Sequence, residues 1–384
     1  MKTGFIIPIV LLAFGGLVII SFIFGNSSSI KNDFIDDDQS VVTLPILNAD
    51  SVLSDAVRED FIISNIETPD VMRAIYATMM SVSSQKKRDY LISLLDETDL
   101  NSIIIDVKES GGELIFDNFP EIKTLIDELH KKGVYVIARI VVFQDNGLAK
   151  TNPEFFLKNN DGSVWRDRKF FAWSDPASLG AWEHVVSISK RAIDVGFDEI
   201  NYDYIRFPTD GNLKNITYPS WNGIEDKSDV VKRFTAYSKE KLKEYNPKIK
   251  LSLDIFGYTF LVGDGLGIGQ SLVYMLEDFD YVYPMVYPSH YSAGNFGFKN
   301  PADHPYEVVR QTLEIGLDSL GDIKEESKSK IRPWIQVFDM GAVYTPKMIE
   351  AQIKATYDVL GPTNTGWLMW SSSNNYDKVL EIEL

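Results

Sequence analysis

The sequence contains no cysteine. Disulfides, thiolate metal sites and thiol nucleophiles are therefore excluded outright. Histidine is scarce, four in 384 residues, and His130, His184, His290 and His304 form no His-x-His pair. Catalytic zinc usually needs several histidine ligands, so neither a metal nor an organic cofactor is expected. Positive charge is also in deficit: 38 Lys and Arg against 55 Asp and Glu leave a formal charge of −17. No basic stripe offsets it, which speaks against a nucleic-acid partner. The acidic residues form no long run, as expected of a solubilising surface. No repeat of ~20–50 residues appears, which speaks against solenoids and propellers. The glycine-rich run from Gly263 to Gly269 lacks the Gly-Lys-Ser/Thr ending of a phosphate-binding loop and reads as a flexible loop.

Long apolar runs are rare too, with one exception. Gly4 to Phe24 carries no charge. It exceeds the ~18 residues of a transmembrane candidate and the ~7–15 of a signal-peptide core. No small-x-small site follows cleanly in Phe22-Ile23-Phe24-Gly25-Asn26. Residues 1–25 are therefore expected to be an uncleaved transmembrane helix, with a cleaved signal and secretion as the alternative. Either way the rest of the chain is expected outside the cytoplasmic membrane. Residues 26–69 read as a linker, opening with Asn26-Ser27-Ser28-Ser29 and carrying Asp36-Asp37-Asp38 without sustained periodicity.

From residue 70 onward, apolar strands alternate with amphipathic helical segments. Strands are expected at Val71–Met80, Ser102–Glu109, Val134–Phe143, Asp198–Phe207, Ile249–Phe256, Asp280–Tyr287, Arg332–Phe338 and Thr365–Ser371. Helices are expected near 84–96, 121–132, 181–195 and 229–245, with another starting at Pro346, since proline suits the first helical turn. Eight strands with intervening helices predict an α/β fold, a (β/α)8 TIM barrel over 70–384. A doubly wound open sheet is the competing reading, but no dinucleotide fingerprint follows the first strand.

The most informative segment is Gly196 to Pro208, an apolar stretch that runs into Asp203, Arg206 and a proline. A carboxylate at the C-terminal end of a barrel strand faces the usual active-site mouth. The other strand ends supply Asp106, Lys108 and Glu109, then Asp254, then Tyr287 and His290, then Gln336 and Asp339, and last Trp370. Alternation puts Asp106 with Lys108 on one face and Asn201 with Asp203 on another. Carboxylates and amides bind sugar hydroxyls, and flat aromatics suit sugar rings. Glycosidic cleavage needs two carboxyl groups flanking the bond. Asp203 as nucleophile or base and Asp254 as general acid are the best-placed pair, with Asp106 or Glu109 as alternative acids. Arg206 or Lys108 would keep one of them ionised; Arg206 is expected to bind substrate or orient Asp203, with a structural salt bridge as the alternative, and a structural ion pair is the competing reading for Asp203. Arg139 is either a substrate contact or a buried partner of Asp106. Tyr283, Tyr287, Tyr291 and Trp370 are candidate sugar platforms or packing residues. The insertion from Asn146 to Asp175, with Trp165, Phe170, Phe171 and Trp173, is a lid, a subsite wall or packing.

The run Phe197-Asp198-Glu199-Ile200-Asn201-Tyr202-Asp203-Tyr204-Ile205-Arg206-Phe207-Pro208 resembles the F-D-x-I-x-x-D-Y-I-R-F-P signature of the bacterial glycoside hydrolase-like domain DUF4015. The resemblance continues through Ile105 to Glu109 with Gly111-Gly112, Ala138-Arg139-Ile140, Leu253 to Gly257 and Tyr283 to Tyr291, covering about 70 to 375. Glu109 stands where aspartate is often expected. The resemblance implies a TIM-barrel glycosidase-like fold acting on a polysaccharide or oligosaccharide. A non-catalytic carbohydrate-binding barrel is the rival class. Neither the glycan nor the oligomeric state is legible.

Overall fold

The computed structural model describes residues 66–262, 265–363 and 365–382. The expected anchor, and the linker up to residue 65, lie outside the described residues. Among the described residues no helix is long and apolar enough to cross a membrane.

Eight parallel strands close on one another in sequence order. They are β1 Val71–Ala77, β2 Ser102–Lys108, β3 Tyr135–Val141 and β4 Glu199–Asp203, then β5 Lys250–Phe256, β6 Tyr281–Met285, β7 Trp334–Gln336 and β8 Thr365–Trp370. β8 pairs back onto β1, which completes the expected barrel. The main helices are α1 Gln85–Glu97, α2 Ile122–Lys131, α3 Leu179–Val195, α4 Lys227–Tyr245, α5 Leu272–Asp278, α6 Pro305–Ser319 and α7 Pro346–Leu360. The sequence reading assigned no helix where α5 and α6 lie; α5 has only seven residues, too few for a clear period. α3 shows why these segments are helical. Ser178 caps its first turn, Gly196 ends it at φ 109°, and Trp182, Val185, Val186, Ser189, Ala192 and Ile193 bury one stripe.

Two strand ends depart from expectation, and both departures shape the mouth. β4 stops at Asp203 rather than Phe207, because Tyr204 adopts φ 57° and turns the chain out of the sheet. Arg206 therefore sits in a loop. In β2 the register skips between Asp106, which pairs with Arg139, and Lys108, which pairs with Ile140. This bulge takes Lys108 off the face of Asp106.

The barrel interior is polar as well as apolar. On β4, Glu199, Asn201 and Asp203 point inward while Ile200 and Tyr202 enter the helix layer, where the Tyr202 hydroxyl lies 2.8 Å from Ser189 Oγ. At the lower end Glu199 accepts hydrogen bonds from Tyr135, at 3.0 Å, and Tyr283. Beneath it Asp198 accepts from the amides of Ile66 (2.9 Å) and Val136 (2.8 Å), closing the floor.

Candidate active site

The upper end of the barrel is organised by one buried arginine. Arg139 Nη1 donates to Asp106 Oδ1 and Nη2 to Asp203 Oδ2, each at 2.5 Å. Its Nε lies 3.7 Å from Asp254 Oδ2. Three carboxyl groups from β2, β4 and β5 thus converge on a guanidinium from β3. The fork geometry of arginine suits this convergence, which a lysine would meet only as a point charge. Asp203 also accepts from the amide of Tyr204 at 2.6 Å. The left-handed backbone of Tyr204 therefore both ends β4 and clamps Asp203, and non-glycine residues held there concentrate at functional sites.

Asp254 is held differently. Its Oδ1 accepts from Trp334 Nε1 at 2.9 Å and Asn201 Nδ2 at 3.1 Å. Burial, and next the nearby charge of Asp203, push its pKa well above the carboxylate range, against the pull of Arg139. Burial likewise raises Asp106, which accepts from the Tyr76 hydroxyl. Glu109, half-buried just past β2, is raised to about 7 by burial and then by Asp106. Among the described residues nothing donates to its carboxyl group.

Aromatic rings wall this cluster. Trp370 stacks on Tyr76 at 4.0 Å between centroids and meets Trp334 edge-on at 5.4 Å. The Arg139 guanidinium lies over Trp370 at 5.4 Å. Tyr287 is buried, and burial, followed by the charges of Asp254 and Asp203, raises its pKa. His290 packs edge-on against Tyr287 at 5.3 Å, and burial lowers it to about 4, so it is neutral at physiological pH. Among the described residues no three His, Asp or Glu side chains are placed to hold a metal ion.

A family model described as "Putative glycosyl hydrolase domain", DUF4015, matches residues 74–376. The chain belongs to the DUF4015 family. Among solved structures, the glycoside hydrolase domain of PgaB (BpsB) from Bordetella bronchiseptica is similar at 14% identity and TM-score 0.58, over 79% of this chain and 95% of that one. TtGalA, an α-galactosidase from Thermus thermophilus in complex with stachyose, is similar at 10% identity and TM-score 0.52, over 83% and 67%. At these identities the likeness is one of fold. A hypothetical protein from Ruminiclostridium thermocellum is 28% identical over 47% of this chain and 96% of that one, with TM-score 0.42. A comparison with curated proteins finds no match.

The mouth of this DUF4015 barrel gathers Asp106, Arg139, Asn201, Asp203, Asp254, Tyr287 and Trp370, with Glu109, Arg206 and His290 at its edge. Other expected members lie elsewhere. Lys108 is buried and bonds outward, to the Val141 and Gln144 carbonyls at 2.8 and 2.9 Å and to Asp145 at 3.0 Å. Both ends of the Gln336 amide are occupied: Oε1 accepts from the Ser289 amide at 3.1 Å, and Nε2 donates to the Phe338 carbonyl at 2.9 Å. Asp339 is on the surface, paired with Lys378 at 2.7 Å. The cation against Asp203 is Arg139 rather than Arg206 or Lys108. Tyr283 belongs to the floor with Glu199, and Tyr291 accepts from Thr312 behind the barrel wall. In the insertion Trp165 and Trp173 are buried, and Phe170 alone of its named aromatics stands out, 74% exposed.

Tyr76 and Trp334 belong to the cluster, yet sequence reasoning passed over both. Trp334 was legible, since it shares a strand face with Gln336. Tyr76 was hidden by an expected first strand that ran to Met80; Thr78 instead caps a short helix, Met79–Ser83, and leaves Tyr76 near the strand end.

Proposed function

We propose that the protein hydrolyses glycosidic bonds of a polysaccharide outside the cytoplasmic membrane, anchored there by residues 1–25. The observation that carries this reading is the unequal treatment of two carboxyl groups on one guanidinium. Asp254 is pushed toward its protonated form by burial and by Asp203, which suits a general acid. Asp203 faces a cation and an amide N–H, donors that orient a carboxylate as nucleophile or base. Environments that set paired carboxyl groups apart are how one site supplies both acid and base. Glycosidases require that pairing. Tyr76, Trp370 and Tyr287 would line the sugar.

A panel of polysaccharides digested by the full-length protein and by Asp203→Asn tests this. Product release is expected from wild type and a loss of at least about a hundredfold in the variant. Equal release by both would overturn the assignment of Asp203. Binding with no release by either would instead make the barrel a carbohydrate-binding module.

A further inference from the structure

Arg206 is only 8% exposed, yet among the described residues it has no carboxylate within 4.0 Å. Nη1 donates to the Phe207 carbonyl at 3.0 Å and to Thr209 Oγ1 at 3.4 Å. Among the described residues nothing accepts from Nε or Nη2. The guanidinium face lies against three rings, Trp173 and Phe256 at 4.8 Å and Tyr204 at 5.3 Å. Burying a cation without a partner is costly, and aromatic faces offset only part of that cost. Stacking also engages the faces and leaves the in-plane N–H fork free, the edge that matches carboxylate or phosphate oxygens. The location gives the free fork a use. Arg206 lies three residues beyond Asp203, and Phe256, beneath it, lies two beyond Asp254. Both strands end at the mouth.

We propose that Arg206 recognises an anionic group, a carboxylate or a phosphate carried on a sugar, in the glycan bound at the barrel mouth. This rests on the glycan-binding part of the reading above and not on hydrolysis. Burial outweighs the combined pull of Tyr204, Asp203, Asp210 and Asp167 and lowers the pKa of Arg206, as expected of a buried cation short of counter-charge. With a net charge of −17, the protein gives polyanions no long-range attraction. Selection therefore falls to this local contact.

Equilibrium binding to the full-length Asp203→Asn protein, in which turnover is suppressed, provides the test. The probes are matched pairs: trigalacturonate against its methyl ester, and maltotriose phosphate against maltotriose. At least one anionic member is expected to bind about ten- to a hundredfold more tightly than its neutral counterpart, and the two pairs separate carboxylate from phosphate. Adding Arg206→Gln should equalise that pair, and Arg206→Lys should restore part of the difference because the charge returns without the fork. A purely structural arginine would lower stability in both variants and leave the ratio unchanged, which overturns the proposal. Failure of every anionic member to bind more tightly than its neutral form overturns it as well. An Arg206-dependent preference in a protein that releases no product would leave this inference standing and remove the hydrolase reading.

Discussion

At the scale of single residues, Arg139 holds the upper barrel together. Asp106, Asp203 and Asp254 would otherwise be three carboxyl groups in a buried space, and burial, together with the charge of Asp203, raises the other two. Arg139→Met should therefore cost about 3–5 kcal/mol near neutral pH, as removing one partner of a buried ion pair does. The sign of its pH dependence follows from the same groups. A carboxyl group with a raised pKa holds its proton in the folded state, so acid relieves the uncompensated charge and rising pH restores it. The difference between variant and wild type in urea denaturation should shrink as pH falls and widen as it rises. A difference independent of pH would show that Arg139 acts by packing alone.

At the scale of elements, the loop from β3 to α3 is built around one carboxylate. Asp167 accepts from Gln144 Nε2 and Trp173 Nε1, both at 2.9 Å, and from the amides of Lys169 and Phe171 at 2.9 and 3.0 Å. Isolated bridges such as Gln144 to Trp173 and Arg166 to Ala172 give the segment its antiparallel form. Trp173 then supports Tyr204 edge-on at 6.1 Å and Arg206 face-on. Asp167→Ala strands buried donors and should cost about 2–4 kcal/mol. It should also increase proteolysis within 144–175 while the rest of the barrel stays protected. Uniform protection across the insertion would show that the bridges suffice without Asp167. The loop is thus a support for the residues after β4, more than a hinged cover.

At the scale of the molecule, residues ahead of β1 help to close the barrel floor. Ile66 and Thr68 precede the expected domain start at residue 70: the Ile66 amide reaches Asp198 and Thr68 Oγ1 reaches the Tyr135 hydroxyl at 3.2 Å. A fragment of 66–384 should keep the melting temperature of the full chain's barrel. One of 71–384 should lose about 1–2 kcal/mol, because the buried Asp198 and Tyr135 lose partners. The same pair of proteins checks the proposed location. Full-length protein should sediment with membranes and the 66–384 fragment should not; full-length protein that stays in the supernatant would favour a cleaved signal.

The alternation of apolar strands and amphipathic helices determined the (β/α)8 barrel from sequence alone, because period-2 and period-3.6 patterns are local properties of the chain. The strand-end rule also singled out Asp203, Asp254, Asp106 and Trp370 for the same local reason. What sequence could not decide were positions displaced by a single backbone event: the bulge beyond Asp106 that takes Lys108 away, and the left-handed Tyr204 that takes Arg206 off β4. A one-residue shift in a strand reverses the face of everything after it, and no local pattern reports it. Nor could sequence choose which cation meets Asp203. That choice rests on parallel register, which sets Arg139 beside both Asp106 and Asn201. Curvature of the barrel wall then brings Asp254 on β5, two strands from β3, within reach of the same guanidinium.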